Sequence, residues 1–148
     1  MTLRRPVLVI VGDKARARIF DTDTEDHSLR EIDDLVNTNY GHHERDTGHD
    51  RPGRGVNGTG RRTALGQDYT RRRILAARFA ETVADRVGEH VKGQRYARIY
   101  LVAGPTFLGL LRPCLTARGK QPPIAKVVKE LTRHSIEDIR QHLPEHLC

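Results

Sequence analysis

The sequence predicts one α/β domain built on a five-stranded mixed sheet with helices on both faces. Two continuous apolar runs, residues 7–11 and 99–103, are typical of central strands that are buried on both faces. Three predicted strands precede the first long helix, which favours an antiparallel meander. The later alternation of strand and helix favours parallel strands added beside that meander, so we expect the strand order 3-2-1-4-5.

The first three strands follow one another closely. Gly12-Asp13-Lys14 interrupts the first apolar run, and residues 15–20 then alternate small or apolar side chains with basic ones. This period of two predicts a second strand with one solvated face, and the short spacing predicts a hairpin between the two strands. Residues 29–36 alternate less regularly and predict a third, more exposed strand.

The stretch from residue 37 to about residue 68 lacks apolar anchors and predicts a long Gly/Arg-rich loop. Residues 37–73 hold seven of the 13 glycines and eight arginines, against four acidic residues. A loop of this length inside a compact domain is usually functional or disordered. Because glycine raises the entropy cost of ordering the chain, we expect this loop to be poorly ordered, or extended away from the core, in the free protein.

The second half of the chain alternates helices and strands. Residues 70–92 carry apolar side chains at three- and four-residue spacings, which predicts a long amphipathic helix. Pro105 suits the first turn of a second helix, and Pro113 is expected to end or kink it. Residues 124–131 predict the last strand, and Ser135 with the two acids that follow Ile136 predicts the start of a short helix.

Three apolar side chains are predicted to meet where the two longer helices cover the sheet. Phe79 lies in the apolar stripe of the first helix, and Phe107 and Leu111 lie in the stripe of the second. Helical spacing places each stripe toward the sheet, so we expect the three side chains to be buried together.

The composition is that of a basic globular protein. At 148 residues, the chain fits a single domain over residues 1–148. Its net charge is +7 and its pI is about 9.9, and such a surface favours polyanions such as RNA, DNA or anionic lipid. No apolar run approaches the roughly 20 residues that cross a bilayer. Since the N-terminus also lacks the apolar segment of a signal peptide, we expect a cytoplasmic protein without a membrane span.

Four segments of the sequence resemble a known bacterial family. They are residues 13–20, 50–55, 107–112 and 128–144, which read DKARARIF, DRPGRG, FLGLLR and, at the start of the last, VKELTRHS. Together and in this order they resemble the family called protein required for attachment to host cells, which is grouped with bacterial relatives of the archaeo-eukaryotic release factors. The element order is that of the ribonuclease-H-like fold, and equally of the central domain of those release factors. The family name records an attachment phenotype and states no biochemical activity.

A metal-dependent nuclease of the ribonuclease-H type needs several carboxylates converging on two metal ions. Asp13 follows the first strand, where one such ligand would lie, but the fourth strand ends in Ala103-Gly104 without an acid. An aspartate in this position is more often a turn residue. Neither cysteine, Cys114 or Cys148, lies in a metal or redox spacing. The sequence therefore predicts no metal site and no cofactor.

The release-factor resemblance implies one further catalytic candidate, Gln67. Class-I release factors carry a Gly-Gly-Gln tip on a loop before their long helix, and this chain has Leu65-Gly66-Gln67 in the matching place. The first glycine of that tip is missing, which removes half of its backbone freedom. We therefore expect a Gly-Gln at the helix entry without chemistry, and a protein that is not an enzyme.

A cluster of seven arginines is the predicted binding site. A guanidinium group binds phosphate with two hydrogen bonds, and a mobile glycine- and arginine-rich loop can become ordered on an RNA backbone. Tyr40 and Tyr69 flank the cluster and could stack on bases. The predicted RNA-binding residues are Arg51, Arg54, Arg61, Arg62, Arg71, Arg72 and Arg73.

Three functions remain open on this basis. The first is a non-enzymatic module that associates with RNA or the ribosome through the arginine cluster. The second is a protein-interaction module involved in attachment to host cells, in which the loop orders on a protein partner. The third is a degenerate relative of a peptidyl-ester hydrolase. Nothing in the sequence predicts the oligomeric state.

Overall fold

The computed structural model describes residues 5–23, 25–38 and 58–147, with helix residues 58–65 described by their backbone alone. The strands are β1 (Val7–Gly12), β2 (Arg16–Thr22), β3 (Leu29–Val36), β4 (Arg98–Ala103) and β5 (Ile124–Val128). The helices are α1 (Gly58–Gly93), between β3 and β4; α2 (Pro105–Thr116), between β4 and β5; and α3 (Ile136–Gln141), after β5.

The five strands form one sheet in the order β3-β2-β1-β4-β5, as the sequence predicts. β1 is central; it pairs antiparallel with β2 and parallel with β4. All six residues of β1 are buried, because helices cover both faces of the sheet at its centre. The mixed α/β class and the strand order are therefore confirmed.

Two apolar clusters lie on opposite faces of the sheet. On one face, α1 and α2 pack together, and the rings of Phe79 and Phe107 lie 6.1 Å apart with Leu111 in the same cluster. On the other face, Ile139 of α3 and Leu143 pack against residues of β1 and β4. The predicted burial of Phe79, Phe107 and Leu111 together is confirmed, as is the prediction of helices on both faces.

The first helix starts earlier than its apolar stripe. α1 begins at Gly58, so the part of the predicted loop from residue 58 to residue 68 is helical, and that boundary was wrong. Extending a helix already anchored at its C-terminal half avoids the cost of nucleation, and arginine, alanine, leucine and glutamine are good helix formers. Most of the rest of the predicted loop, residues 39–57, lies outside the described residues. The expectation that it is poorly ordered therefore concerns residues that the structure does not describe.

Of the two outcomes expected at Pro113, an end of α2 does not occur, and the predicted end of β5 was wrong. Pro113 lies inside α2, which continues to Thr116. Because proline has no N–H, the carbonyl of Gly109 lacks its usual helical hydrogen bond. Gly109 and Pro113 are both exposed, so water can hydrate that carbonyl. β5 ends at Val128 rather than at residue 131. The backbone turns there, with Lys129 N–H donating to the Val127 carbonyl.

The solvated face predicted for β2 is covered at Arg18, which is only 8% exposed. Its guanidinium donates to the carbonyls of Thr132, at 3.1 Å, and His134, at 2.7 Å. It also forms an ion pair with Glu31 at 3.0 Å. The C-terminal segment after β5 therefore lies across this side of β2, where alternation alone predicts solvent. Four hydrogen bonds from the guanidinium, two to backbone carbonyls and two to the Glu31 carboxylate, offset the cost of burying its charge.

Candidate nucleic-acid interface

The two halves of α1 differ in burial. Its buried side chains begin at Ala76 and recur at helical spacing as far as Val87. Residues 66–75, in contrast, include no buried side chain. The C-terminal half of α1 thus covers the sheet, and residues 66–75 contribute no buried side chain to the core.

A hydrogen-bond bridge from Asn37 positions the part of α1 that precedes its buried half. Nδ2 of Asn37 donates to the carbonyl of Lys14 at 2.9 Å and to the carbonyl of Leu75 at 3.3 Å. Leu75 therefore lies beside the turn that follows β1. The helix residues before Leu75 stand at the edge where β1 and β4 have their carboxyl ends. We call residues 58–75 of α1 the overhang.

Four arginines of α1 lie near this edge. Arg71 and Arg73 are exposed and Arg72 is half-buried; Arg78, one turn beyond the overhang, is exposed as well. Among the described residues, none of these four forms an ion pair, whereas Arg86 of the same helix does. Uncompensated guanidinium groups produce a local positive potential, which attracts phosphate.

The overhang has an inner face that continues the buried stripe of α1. Seven residues are nearly two helical turns, so residues seven apart lie within about 20° of each other around the axis. Tyr69, Arg72 and Arg73 each precede a buried residue by seven: Ala76, Phe79 and Ala80. We call Tyr69, Arg72 and Arg73 the inner face. Where α1 passes the edge of the sheet, its apolar stripe becomes aromatic and cationic.

The structure brings together part of the predicted arginine cluster. Arg71, Arg72 and Arg73 are consecutive residues of α1, and Arg61 and Arg62 lie in the first turns of the same helix. Arg51 and Arg54, with Tyr40, lie outside the described residues. The prediction placed most of the cluster on a loop, whereas these five arginines are on a helix. Arg78 was missed, although its seven-residue spacing from Arg71 was the available signal.

An ion-paired carboxylate anchors α1 to the edge strand β3. Nη1 of Arg86 donates to both oxygens of Asp33, at 2.9 and 2.8 Å, and Nε2 of His90 lies 2.9 Å from Oδ2. Burial acts to raise the pKa of Asp33, but the hydrogen bonds from His90 and Arg86 outweigh it and hold the pKa below its ordinary value. These contacts tie the C-terminal half of α1 to the edge strand.

The catalytic candidate Gln67 lies in the overhang and not on a loop. Gly66 and Gln67 are within α1, and Thr70 donates its hydroxyl hydrogen to the Gly66 carbonyl at 3.1 Å. Among the described glycines only Gly119 has a positive φ, so Gly66 keeps the ordinary helical backbone. The loop location that the release-factor comparison implies was therefore wrong. The helical backbone fixes the φ and ψ angles of Gly66 and Gln67, whereas the release-factor tip depends on the conformational freedom of its glycines.

Asp13 is a turn residue, as expected. Its Oδ1 accepts hydrogen bonds from the backbone N–H groups of Ala15 and Arg16, both at 2.8 Å, and its Oδ2 accepts one from Thr132 Oγ1 at 2.7 Å. Both oxygens thus stabilise the hairpin turn and hold the C-terminal segment. The part of the chain that the structure describes has no group of three His, Cys, Asp or Glu residues placed to hold a metal ion.

Cys114 is a structural thiol on α2. Its Sγ donates to the Leu110 carbonyl at 3.2 Å and packs at the edge of the main apolar cluster. Burial raises the pKa of the Cys114 thiol, and the nearby Glu81 carboxylate raises it further. A thiol that is protonated at neutral pH is a poor nucleophile.

Comparison with known proteins agrees with the segments that the sequence shares with a family. The model of the family described as protein required for attachment to host cells matches residues 8–143, from β1 to the residue that follows α3 and its cap. No curated protein matches this sequence. No helix among the described residues combines the length and the apolar character needed to cross a bilayer. The chain belongs to the family of proteins required for attachment to host cells.

Proposed function

We propose that this protein is a non-enzymatic module that binds RNA, alone or on the ribosome, through the arginines of the overhang. The observation that carries the proposal is the run Arg71, Arg72 and Arg73, which has no carboxylate partner among the described residues. Arg61 and Arg62 of the same helix extend the run. Arg51 and Arg54 precede the helix in the sequence and belong to the proposed site.

The chemistry of arginine supports a phosphate ligand. Guanidinium groups form two parallel hydrogen bonds with a phosphate, and they release condensed counterions from the nucleic acid when they do so. The excess positive charge of the whole chain, +7, adds long-range attraction for a polyanion. The ordered C-terminal half of α1 supplies a rigid support, so fewer residues must be immobilised on binding. This function belongs in the cytoplasm, where RNA and ribosomes are abundant.

The test of this proposal is a titration of fluorescently labelled RNA at low salt. We would compare the wild type with the variant Arg71→Ala/Arg72→Ala/Arg73→Ala. The matched control is Arg95→Ala/Arg112→Ala/Lys120→Ala, which removes the same charge from exposed positions away from the overhang. Loss of affinity in the first variant alone would support the proposal. Equal affinities for both variants, or the absence of RNA binding by the wild type, would overturn it.

A protein-interaction module that acts in attachment to host cells is the second candidate, and the family match favours it. An arginine-bearing helix also fits an acidic surface on a protein partner. The two candidates differ in salt dependence. Phosphate contacts release about one counterion each, so the affinity for RNA falls as a steep power of the salt concentration.

A further inference from the structure

Tyr69 is the exception among the aromatic side chains. Its side chain is 65% exposed. Every other Phe or Tyr that the structure describes is at most 7% exposed: Phe20, Phe79, Tyr96, Tyr100 and Phe107. A tyrosine ring left in water forgoes the stabilisation that its burial would provide. An isolated ring of this kind beside a cationic patch has the features of a contact surface.

The surroundings of Tyr69 are cationic. The guanidinium carbon of Arg73 lies 6.0 Å from the ring centroid, one helical turn away, so a positive charge sits beside the ring. Nε of Arg72, on the same inner face, is shielded from solvent and makes no hydrogen bond. A shielded donor without an acceptor is unfavourable in the free protein, and a ligand oxygen would satisfy it.

Two more cations lie at the carboxyl ends of β1 and β4, the edge at which the inner face stands. Lys14 and Arg133 line a cavity of about 310 Å³ there, with Thr106 and Glu130 on its other walls. In the described part of the chain, neither Lys14 nor Arg133 forms an ion pair. In open α/β sheets, ligands bind most often at the carboxyl ends of the strands. Asn37 bridges the carbonyls of Lys14 and Leu75, so this cavity begins beside the residue at which the overhang ends.

We infer that the ligand is single-stranded RNA, with one unpaired base stacked on Tyr69 and the neighbouring phosphates bound by Arg72, Arg73, Lys14 and Arg133. This inference rests on the proposed RNA-binding function and specifies its ligand. A base can cover an aromatic ring only when it has left its own stack, which single strands allow. Duplex RNA keeps its bases stacked, and its deep, narrow major groove does not admit side chains to them.

The experiment compares two labelled RNAs with equal numbers of phosphates, an unstructured single strand and a hairpin duplex. The variants are Tyr69→Ala, Tyr69→Phe and, as the matched control, Ile74→Ala. Ile74 is an exposed apolar residue of the same overhang, 47% exposed, and lies about 140° around the helix from Tyr69. The affinity of each variant for each RNA is measured at several salt concentrations.

For the single strand, we expect Tyr69→Ala to weaken binding about five- to a hundredfold, the range measured for base–aromatic stacking. Tyr69→Phe and Ile74→Ala should stay within about twofold of the wild type, because the first keeps the ring and the second leaves it in place. The slope of log affinity against log salt should not change in Tyr69→Ala, since no charge is lost.

Two results would overturn the inference while leaving RNA binding intact. One is a wild type that binds the duplex as tightly as the single strand. The other is a Tyr69→Ala variant that behaves as Ile74→Ala does. Failure of the wild type to bind either RNA at low salt would overturn the proposed function itself, and this inference with it.

Discussion

Arg86 of α1 donates from one nitrogen to both oxygens of Asp33 on β3, at 2.9 and 2.8 Å. This contact joins residues 53 positions apart in the sequence and ties the long helix to the edge strand. His90, one turn further along α1, shares the same carboxylate at 2.9 Å. This junction holds the C-terminal half of α1 on β3, and the hydrogen bond from Asn37 to the Leu75 carbonyl holds the helix where the overhang ends.

Replacing Asp33 with asparagine should destabilise the fold by about 1–3 kcal/mol, because charged hydrogen bonds from two side chains are lost. Urea unfolding measures this change. The matched control is the neighbouring Asp34→Asn, since Asp34 pairs with Arg16 at an exposed site and should contribute less than about 1 kcal/mol. Similar losses for the two variants would contradict the assigned role of Asp33.

The stabilisation by Asp33 should also depend on pH. The pKa of Asp33 is lower in the folded protein than its ordinary value of 3.8, so its contribution is fully present above that pH. It is lost as the pH falls through the folded pKa, because the unfolded chain binds the proton more readily. The difference in unfolding free energy between wild type and Asp33→Asn should therefore shrink from pH 7 to pH 3. A difference that stays constant over this range would contradict the depressed pKa.

Phe79→Ala should cost roughly 3–5 kcal/mol of stability, the usual penalty for deleting a core aromatic. The ring is 5% exposed and lies 6.1 Å from that of Phe107. Chemical denaturation of the variant, with Ile74→Ala as an exposed control, provides the measurement. A loss below about 1 kcal/mol would place Phe79 at the surface.

Gly66→Ala should raise the free energy of unfolding by about 0.5–1 kcal/mol, because alanine favours the helical backbone of α1. It should not weaken RNA binding. A Cβ added at Gly66 meets no atom of the described residues within 4 Å, and the backbone there is already helical. Circular dichroism during thermal unfolding, combined with the RNA titration, tests both parts. A marked loss of function in this variant would reinstate a conformational role for the Gly-Gln pair.

Cys114 should react slowly with thiol reagents at neutral pH, since burial raises its pKa above the ordinary value of 9.0. The measurement uses a Cys148→Ser background, so that only one thiol reports. The same protein in denaturant serves as the reference and should react at the rate of an unperturbed cysteine. Equal rates in the native and unfolded states would show that the thiol is accessible.

The sequence predicts the sheet well because its signals are local. A few neighbouring residues are enough to recognise the buried strands around Ile10 and Leu101 and the helix start at Ser135. Arg18 was placed in solvent because alternation reports only the strand, whereas its burial comes from the C-terminal segment more than a hundred residues later. The start of α1 was missed for a different reason. Its overhang has no apolar stripe, so helical periodicity gives no signal there.

The candidate site was predictable in part. Clustered arginines identify Arg71, Arg72 and Arg73, but their lack of an ion pair with any described residue is a property of the folded chain. The cavity lined by Lys14 and Arg133 arises from the parallel pairing of β1 with β4 and of β4 with β5, which brings residues near both ends of the chain together. No sequence pattern links these positions, since they meet only through the sheet.

The most direct test of RNA binding is the salt dependence of affinity for single-stranded RNA. Wild-type protein and Arg71→Ala/Arg72→Ala/Arg73→Ala are titrated between about 50 and 200 mM salt. Each phosphate contact contributes about 0.7 to the slope of log affinity against log salt, so we expect a slope shallower by about two units in the variant. Parallel lines for the two proteins, or no binding by the wild type at the lowest salt, would contradict RNA binding through the overhang.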